Sequence, residues 1–266
     1  MLKDKYSLSD LIDLIELLRS EKGCPWDRKQ THESLKSCFI EETYEALEAI
    51  DLNDRDKLCE ELGDVLLQVV FHAQIARETK AFSMDDVITG ICRKLILRHT
   101  HVFGNDMADT PEQVVENWEV LKKREKGLKT QTGVLKDVPS NLPALMRSYK
   151  VQQKAAQVGF DWDNLDDVFS KVEEEIRELR DVYKSENMER IKDELGDVLF
   201  SLVNLSRFLK LQPELALTGT INKFIKRFEY VESNSIKNGN KLEDMSLAEM
   251  DQLWNEAKAY FSEEKA

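Results

Sequence analysis

The stretch Phe39–Asp64 decides the fold of this chain. It carries acids at helical spacing, first as Glu41-Glu42-x-x-Glu45 and then as Glu61-x-x-Asp64. Side chains three or four residues apart share one face of a helix. Asn53 and Asp54 lie between the two groups and supply a turn and a helix cap. We therefore predict two antiparallel helices that bring their carboxylates together.

The same pattern returns later in the chain as Glu174-Glu175-x-x-Glu178 and Glu194-x-x-Asp197, with residue numbers that differ by 133 throughout. The spacing indicates a duplicated helical module rather than a solenoid, because the period is long and the copies are few. With 10 Gly and 5 Pro, the chain has little material for an all-β fold. We predict an all-α fold of two related modules, residues 1–125 and 142–266, joined by a linker at residues 126–141.

The composition excludes several classes of function. A net charge of −13 disfavours broad binding to nucleic acid or to an anionic membrane, so neither is an expected partner. The most apolar run, Val65–Phe71, is too short to span a bilayer, and the N-terminus lacks the apolar core of a signal peptide. The four cysteines form no Cys-x-x-Cys pair. We expect a cytoplasmic protein with reduced thiols.

The acids indicate a metal site. The helix segments that follow Asp64 and Asp197 are apolar on nearly every side, so we expect them to be buried. A buried carboxylate needs a cation or a proton. Four carboxylates in one place favour Mg²⁺, with Mn²⁺ as the second choice, and the lack of nearby cysteine or histidine disfavours zinc.

Two kinds of basic and aromatic pair accompany each acidic pattern. One is a Lys and an Arg four residues apart, which suits phosphate oxygens. The other is a Trp followed four residues later by a Lys, which offers an aromatic face for a base and a cation for phosphate. The alternative to this substrate-binding role is that each tryptophan belongs to the hydrophobic core. The predicted substrate-binding residues are Lys94, Arg98, Trp118 and Lys122 in the first module and Lys223, Arg227, Trp254 and Lys258 in the second.

Together these motifs closely resemble those of the MazG family of nucleoside triphosphate pyrophosphohydrolases. The resemblance covers nearly the whole chain in its two-domain form, although Thr100 stands where the family usually has proline. The motifs that carry it are Gly23-Cys24-Pro25-Trp26-Asp27 with Gln30-Thr31-His32, the two acidic patterns, Arg98-His99-x-His101-Val102-Phe103 and Val158-Gly159-Phe160-Asp161-Trp162. The second copy lacks the Gly-Cys-Pro and His-x-His features.

The resemblance implies a four-helix-bundle fold that dimerises through helix packing, or forms a higher homo-oligomer. It also implies Mg²⁺-dependent hydrolysis of NTPs or dNTPs to the monophosphate and pyrophosphate, as house-cleaning of nucleotide pools. The implied metal ligands are Glu42, Glu45, Glu61 and Asp64 in the first module and Glu175, Glu178, Glu194 and Asp197 in the second. Glu174 or Glu175 is the implied catalytic residue, which orients or deprotonates the attacking water. The second module is the usual seat of activity in such proteins, yet the acids of the first are intact.

Two other classes of protein are weighed against this hypothesis. A di-iron carboxylate bundle needs Glu-x-x-His on facing helices, and no histidine here follows a glutamate at that spacing. A helical nucleotide-sensing or interaction protein, with one or both sites non-catalytic, is the stronger alternative. Release of pyrophosphate would distinguish the enzyme from it.

Overall fold

The computed structural model describes residues 2–104, 106–185 and 187–263. These residues form helices and no strand. They divide into two compact units, Met1–Lys122 and Lys123–Ala266. The prediction of an all-α protein with two tandem modules is thereby confirmed.

In the first unit, the acids of the opening stretch lie on two long neighbouring helices. The helices are α1 (Leu8–Arg19), α2 (Pro25–Lys29), α3 (Lys36–Asp51), α4 (Arg55–Glu78), α5 (Met84–Arg98), α6 (Thr100–Phe103) and α7 (Pro111–Glu125), whose last turn extends past the boundary between the units. α3 and α4 pack against each other, and α1 packs on α4.

The second unit repeats this arrangement. Its helices are α8 (Gln131–Lys136), α9 (Ala144–Ala156), α10 (Leu165–Val182), α11 (Met188–Phe208), α12 (Pro213–Lys237) and α13 (Leu247–Glu263). α10 packs on α11 as α3 packs on α4, and α9 lies on α11 as α1 lies on α4. The short helix α8 falls inside the segment predicted as a linker. It packs on α9, where the Gln131 side chain donates to the carbonyl of Lys154 and Val134 is buried.

Side-chain caps fix where the helices begin. Ser7 accepts from the backbone of Asp10, and the carboxylate of Asp10 accepts from the backbone of Ser7, which closes a capping box at the start of α1. Ser83 with Asp86 closes a second box at the start of α5. Such caps satisfy backbone donors that the first turn leaves without partners.

The apolar faces of the acid-bearing helices are only partly covered. Leu62 and Leu66 on α4 are 54% and 39% exposed, and Leu195 and Leu199 on α11 are 47% and 48% exposed. The expectation that these helices are buried on all sides is therefore not met within one chain. Burial of the apolar face instead centres on the contact of α4 with α1, around Ile15 and Val70.

A pair of histidines joins the segment before α3 to α4. Nδ1 of His32 lies 2.8 Å from Nδ1 of His72, and the two rings are within 3° of parallel. Phe39 meets the ring of His72 edge-on. One nitrogen must donate and the other accept, so the hydrogen bond requires that one ring be neutral at Nδ1. Burial, and then the charge of His32, lowers the pKa of His72.

This pair predicts a loss of stability in mild acid. The folded protein holds the pKa of His72 below its ordinary 6.5, so the unfolded chain takes up a proton more readily as the pH falls past that value. We expect the wild type to lose stability relative to His72→Phe between about pH 7.5 and about pH 5.5, measured by urea unfolding. A stability difference between the two proteins that stays constant across this range would contradict the prediction.

Candidate functional site

The first carboxylate cluster consists of Glu42 and Glu45 on α3 and Glu61 on α4. One carboxylate oxygen from each lies within 4.8 Å of the others. Glu61 is buried, with 7% of its surface exposed, whereas Glu42 is half-buried and Glu45 is exposed. The antiparallel contact of α3 and α4 thus brings together three of the four acids predicted for this module.

The second carboxylate cluster consists of Glu175 on α10 and Glu194 and Asp197 on α11, again with one oxygen from each within 4.8 Å of the others. Glu175 is the buried member, at 7% exposure. Asp197 is exposed, although the sequence led us to expect its helix to be buried on all sides. Each cluster therefore opens towards solvent on one side and is anchored by one buried glutamate.

The fourth predicted acid of each module lies beside its cluster rather than in it. Burial, followed by the charge of Asp64, raises the pKa of Glu42. Burial, followed by the charges of Glu175 and Glu194, raises the pKa of Glu178. Asp64 and Glu178 therefore interact electrostatically with the acids of the clusters. Burial, and then the charge of Glu45, likewise raises the pKa of Glu61. Burial is the largest cause of each shift, and repulsion between neighbouring carboxylates adds to it.

Basic side chains reach both clusters from within the chain. Lys171 on α10 places its Nζ 2.8 Å from Glu175 and 3.0 Å from Glu174. These hydrogen bonds raise the pKa of Lys171. Arg190 lies 3.7 Å from Glu194. In the first unit, Lys57 binds Glu48 at 2.6 Å, and the charges of Glu61 and Glu45 help to raise the pKa of this lysine.

The predicted substrate-binding residues form an arginine–tryptophan contact in each unit. The guanidinium of Arg98 lies 5.9 Å from the ring centre of Trp118, and that of Arg227 lies 5.8 Å from the ring centre of Trp254. Arg98 is buried and Arg227 is half-buried. Both tryptophans remain accessible, and Phe224 lies beside Trp254.

The lysines of the same predicted set lie at more open positions. Lys94 and Lys223 are exposed, Lys122 is half-buried, and Lys258 donates to Asn255 at 3.1 Å. The structure thus brings each Arg together with its Trp.

The donor chemistry of both clusters suits a hard divalent cation. All the grouped atoms are carboxylate oxygens, the ligands that Mg²⁺ and Mn²⁺ prefer. Glu42, Glu45 and Glu61 could hold such an ion in the first unit. Glu175, Glu194 and Asp197 could hold one in the second.

Sequence reasoning missed the basic residues that touch the acids. Lys171 precedes Glu174 by three residues and Glu175 by four, so helical spacing alone could have revealed it. The contact of each Arg with its Trp had no such signal, because it depends on how α5 meets α7 and how α12 meets α13.

Comparison with known proteins supports the repeat found here. The family model described as the MazG nucleotide pyrophosphohydrolase domain matches residues 30–103 and again residues 165–232. Each matched range contains one carboxylate cluster. No helix in the described part of the chain is both long and apolar enough to cross a membrane.

Several relatives match almost the whole chain. The Thermotoga maritima protein named nucleoside triphosphate pyrophosphohydrolase/pyrophosphatase MazG is 47% identical over 94% of this chain and 94% of its own length. The Escherichia coli K12 protein named nucleoside triphosphate pyrophosphohydrolase is 41% identical over 93% and 95%. Bacillus subtilis YabN, described as uncharacterized, is 49% identical over 95% of this chain but only 52% of its own length.

The fold and the site thus define a helical protein with two tandem carboxylate-rich modules. This chain belongs to the MazG family, as two matches to the family model and relatives of nearly equal length show. The resemblance noted in the sequence is thereby confirmed.

The raised pKa of Glu61 predicts that this acid weakens the metal-free protein. Its carboxyl favours the protonated form more in the folded chain than in the unfolded chain, so stability falls as the pH rises from 4.5 through the raised value. We expect Glu61→Gln to raise the Tm in EDTA at about pH 7.5 by a few degrees, measured by circular dichroism. The gain should shrink towards pH 4.5.

Glu21→Gln is the matched control for this change. Glu21 is exposed and lies outside the carboxylate clusters, so its neutralisation should leave the Tm nearly unchanged. An equal gain in both variants would mean that the acids of the cluster carry no special repulsion.

Proposed function

We propose that this protein hydrolyses nucleoside triphosphates, including deoxynucleoside triphosphates, to the monophosphate and pyrophosphate with Mg²⁺ as cofactor. The observation that carries the proposal is the repeated cluster of three carboxylates, each with ligand atoms within 4.8 Å, inside each matched MazG range. The names of the Thermotoga and Escherichia relatives support the same reaction. House-cleaning of the cytoplasmic nucleotide pool is the role we propose for it.

A bound Mg²⁺ supplies positive charge to the triphosphate and lowers the pKa of a coordinated water. The residues that would hold it in the second unit are Glu175, Glu194 and Asp197, with Glu178 beside them. The buried position of Glu175 fixes one side of this set, while exposed Asp197 leaves it open to substrate. The first unit offers Glu42, Glu45 and Glu61 in the same way, with Asp64 alongside.

The chemical step is attack of water on the α-phosphorus. A bond forms between the water oxygen and phosphorus, and the bond from phosphorus to the bridging oxygen breaks, so that pyrophosphate leaves with the electron pair. A carboxylate of Glu174 or Glu175 orients the water and accepts its proton. Lys171 places its Nζ 3.0 Å from Glu174 and 2.8 Å from Glu175.

The arginine–tryptophan contacts suit the other parts of the substrate. In the second unit, Arg227 offers a planar fork of donors to phosphate oxygens, and the accessible Trp254 offers an aromatic face to the base. Lys223 lies on α12 with Arg227, and Lys258 lies on α13 with Trp254. Both lysines add positive charge to this set. Arg98 and Trp118, with Lys94 and Lys122, form the equivalent set in the first unit.

We also propose that the chain works as a homodimer. Its solvent-accessible area is 19754 Å². A single globular protein of this mass exposes about 12,000 Å², and two separate units of half the mass expose about 14,400 Å². Any contact between units would only lower the expected area. The excess is apolar in part, since Ile96 on α5 and Ile225 on α12 are 50% and 59% exposed. A second copy would cover these faces.

The activity is tested by incubating the protein with a mixture of NTPs and Mg²⁺ and following the products by phosphorus NMR. We expect pyrophosphate and monophosphates. Glu175→Gln and Asp197→Asn should each reduce turnover by about a hundredfold or more, since they remove cation ligands, while the helical circular dichroism persists.

Glu42→Gln is the counterpart of Glu175→Gln in the first unit. Comparing the turnover of the two variants shows how much activity each unit contributes. Orthophosphate as the product would mean that another bond is cut. Absence of any product would favour the nucleotide-sensing alternative. Wild-type turnover in both second-unit variants would exclude the second unit as the seat of activity.

The dimer is tested by light scattering coupled to size exclusion. We expect about 62 kDa, twice the 30.8 kDa of one chain, and a Tm that rises with protein concentration. Ile225→Asp should shift the protein towards the monomer, because a charge cannot be buried against the partner without cost. A 30.8 kDa species at all concentrations would rule out the dimer.

A further inference from the structure

One difference between the two copies of the repeat lies directly beside the clustered acids. Lys171 lies one turn before Glu174 and Glu175 on α10, and the residue at the same place before Glu41 and Glu42 on α3 is Cys38. The half-buried thiol of Cys38 stands where the second unit has an ammonium group. The two copies of the repeat thus carry a thiol in one unit and an ammonium group in the other at a position next to the acids.

The other basic residue near each cluster is matched between the units. Lys57 and Arg190 occupy equivalent positions, since their numbers differ by the same 133. Lys57 is engaged with Glu48 at 2.6 Å, and Arg190 reaches Glu194 only at 3.7 Å with a largely exposed side chain. Of these two pairs of equivalent positions, only Lys171 and Cys38 differ in charge.

Lys171 is in direct contact with a predicted cation ligand. Its Nζ lies 2.8 Å from Oε1 of Glu175 and 3.0 Å from Oε1 of Glu174, so it already neutralises part of the second carboxylate cluster. A divalent cation that binds Glu175 must displace this ammonium group or share the oxygen with it. In the first cluster, no lysine occupies the corresponding place, since Cys38 stands there.

We propose that the two units bind divalent cations with unequal affinity, the first more tightly, because Lys171 acts as a built-in competitor at the second carboxylate cluster. This inference rests on the proposed metal function. At a cation concentration between the two dissociation constants, the first unit is loaded and the second is not. Lys171 is thus a positioning residue that sets the cation concentration at which the second unit becomes competent.

The experiment measures Mn²⁺ affinity of the full chain by electron paramagnetic resonance of the free ion. Two double variants leave one cluster each. Glu175→Gln with Asp197→Asn leaves the first, and Glu42→Gln with Glu61→Gln leaves the second. We expect the first cluster to bind Mn²⁺ about tenfold more tightly than the second, since one charge at contact distance is worth at least that much at a partly exposed site.

The reciprocal exchange isolates the competing charge. In the chain that retains the second cluster, Lys171→Met should tighten Mn²⁺ binding about tenfold; in the chain that retains the first, Cys38→Lys should weaken it by a similar factor. Lys192→Met is the control, because Lys192 is an exposed lysine of α11 that pairs with Glu189 outside the cluster. Circular dichroism checks that every variant keeps its helices.

The outcomes separate this inference from the function on which it rests. Equal Mn²⁺ affinity of the two clusters, or no change on Lys171→Met, would overturn the inference and leave the metal proposal in place. Absence of Mn²⁺ binding in both chains would overturn the two together. A change of equal size in Lys192→Met would show a general charge effect and would overturn the role given to Lys171.

Discussion

Mutual repulsion of carboxylates on facing helices is the constraint on which the structure depends. Antiparallel packing of α3 on α4 and of α10 on α11 places three acidic oxygens within 4.8 Å in each unit. Helix packing alone would avoid such an arrangement, because like charges at this distance oppose folding. Its presence in both units is the basis on which we propose that a bound cation supplies the missing positive charge.

Much of this could be predicted from the sequence because its signals are local. Capping residues such as Ser83 mark helix starts, and the acids three residues apart share a face. The exposure of Asp197 could not be predicted in this way. It depends on what covers the far side of α11, which no local pattern specifies. Helix α8 was likewise missed, because its six residues are too few for periodicity to show.

Because the module is repeated, equivalent residues of the two units can be compared within one chain. Where both units keep a feature, such as Arg98 with Trp118 and Arg227 with Trp254, the shared geometry follows from the common ancestor module and its constraints. Where they differ, as at Cys38 and Lys171, the two residues occupy equivalent positions on equivalent helices and differ in charge. A difference between two sites in one chain is therefore easier to interpret than a difference between two proteins.

The clustered acids and the uncovered apolar faces have the same structural origin. Each unit is a small helical layer built around one long helix, α4 in the first unit and α11 in the second. One face of this helix packs on α1 or α9, a second face carries acids, and a third face carries exposed leucines. A single layer cannot bury both a polar site and an apolar surface. If a second copy covers the leucines, it also removes water from the rim of the carboxylate clusters and lowers the local dielectric constant. The attraction between the acids and a cation then becomes stronger. Association and cation binding should therefore favour each other, because neighbouring faces of the same helices serve the two.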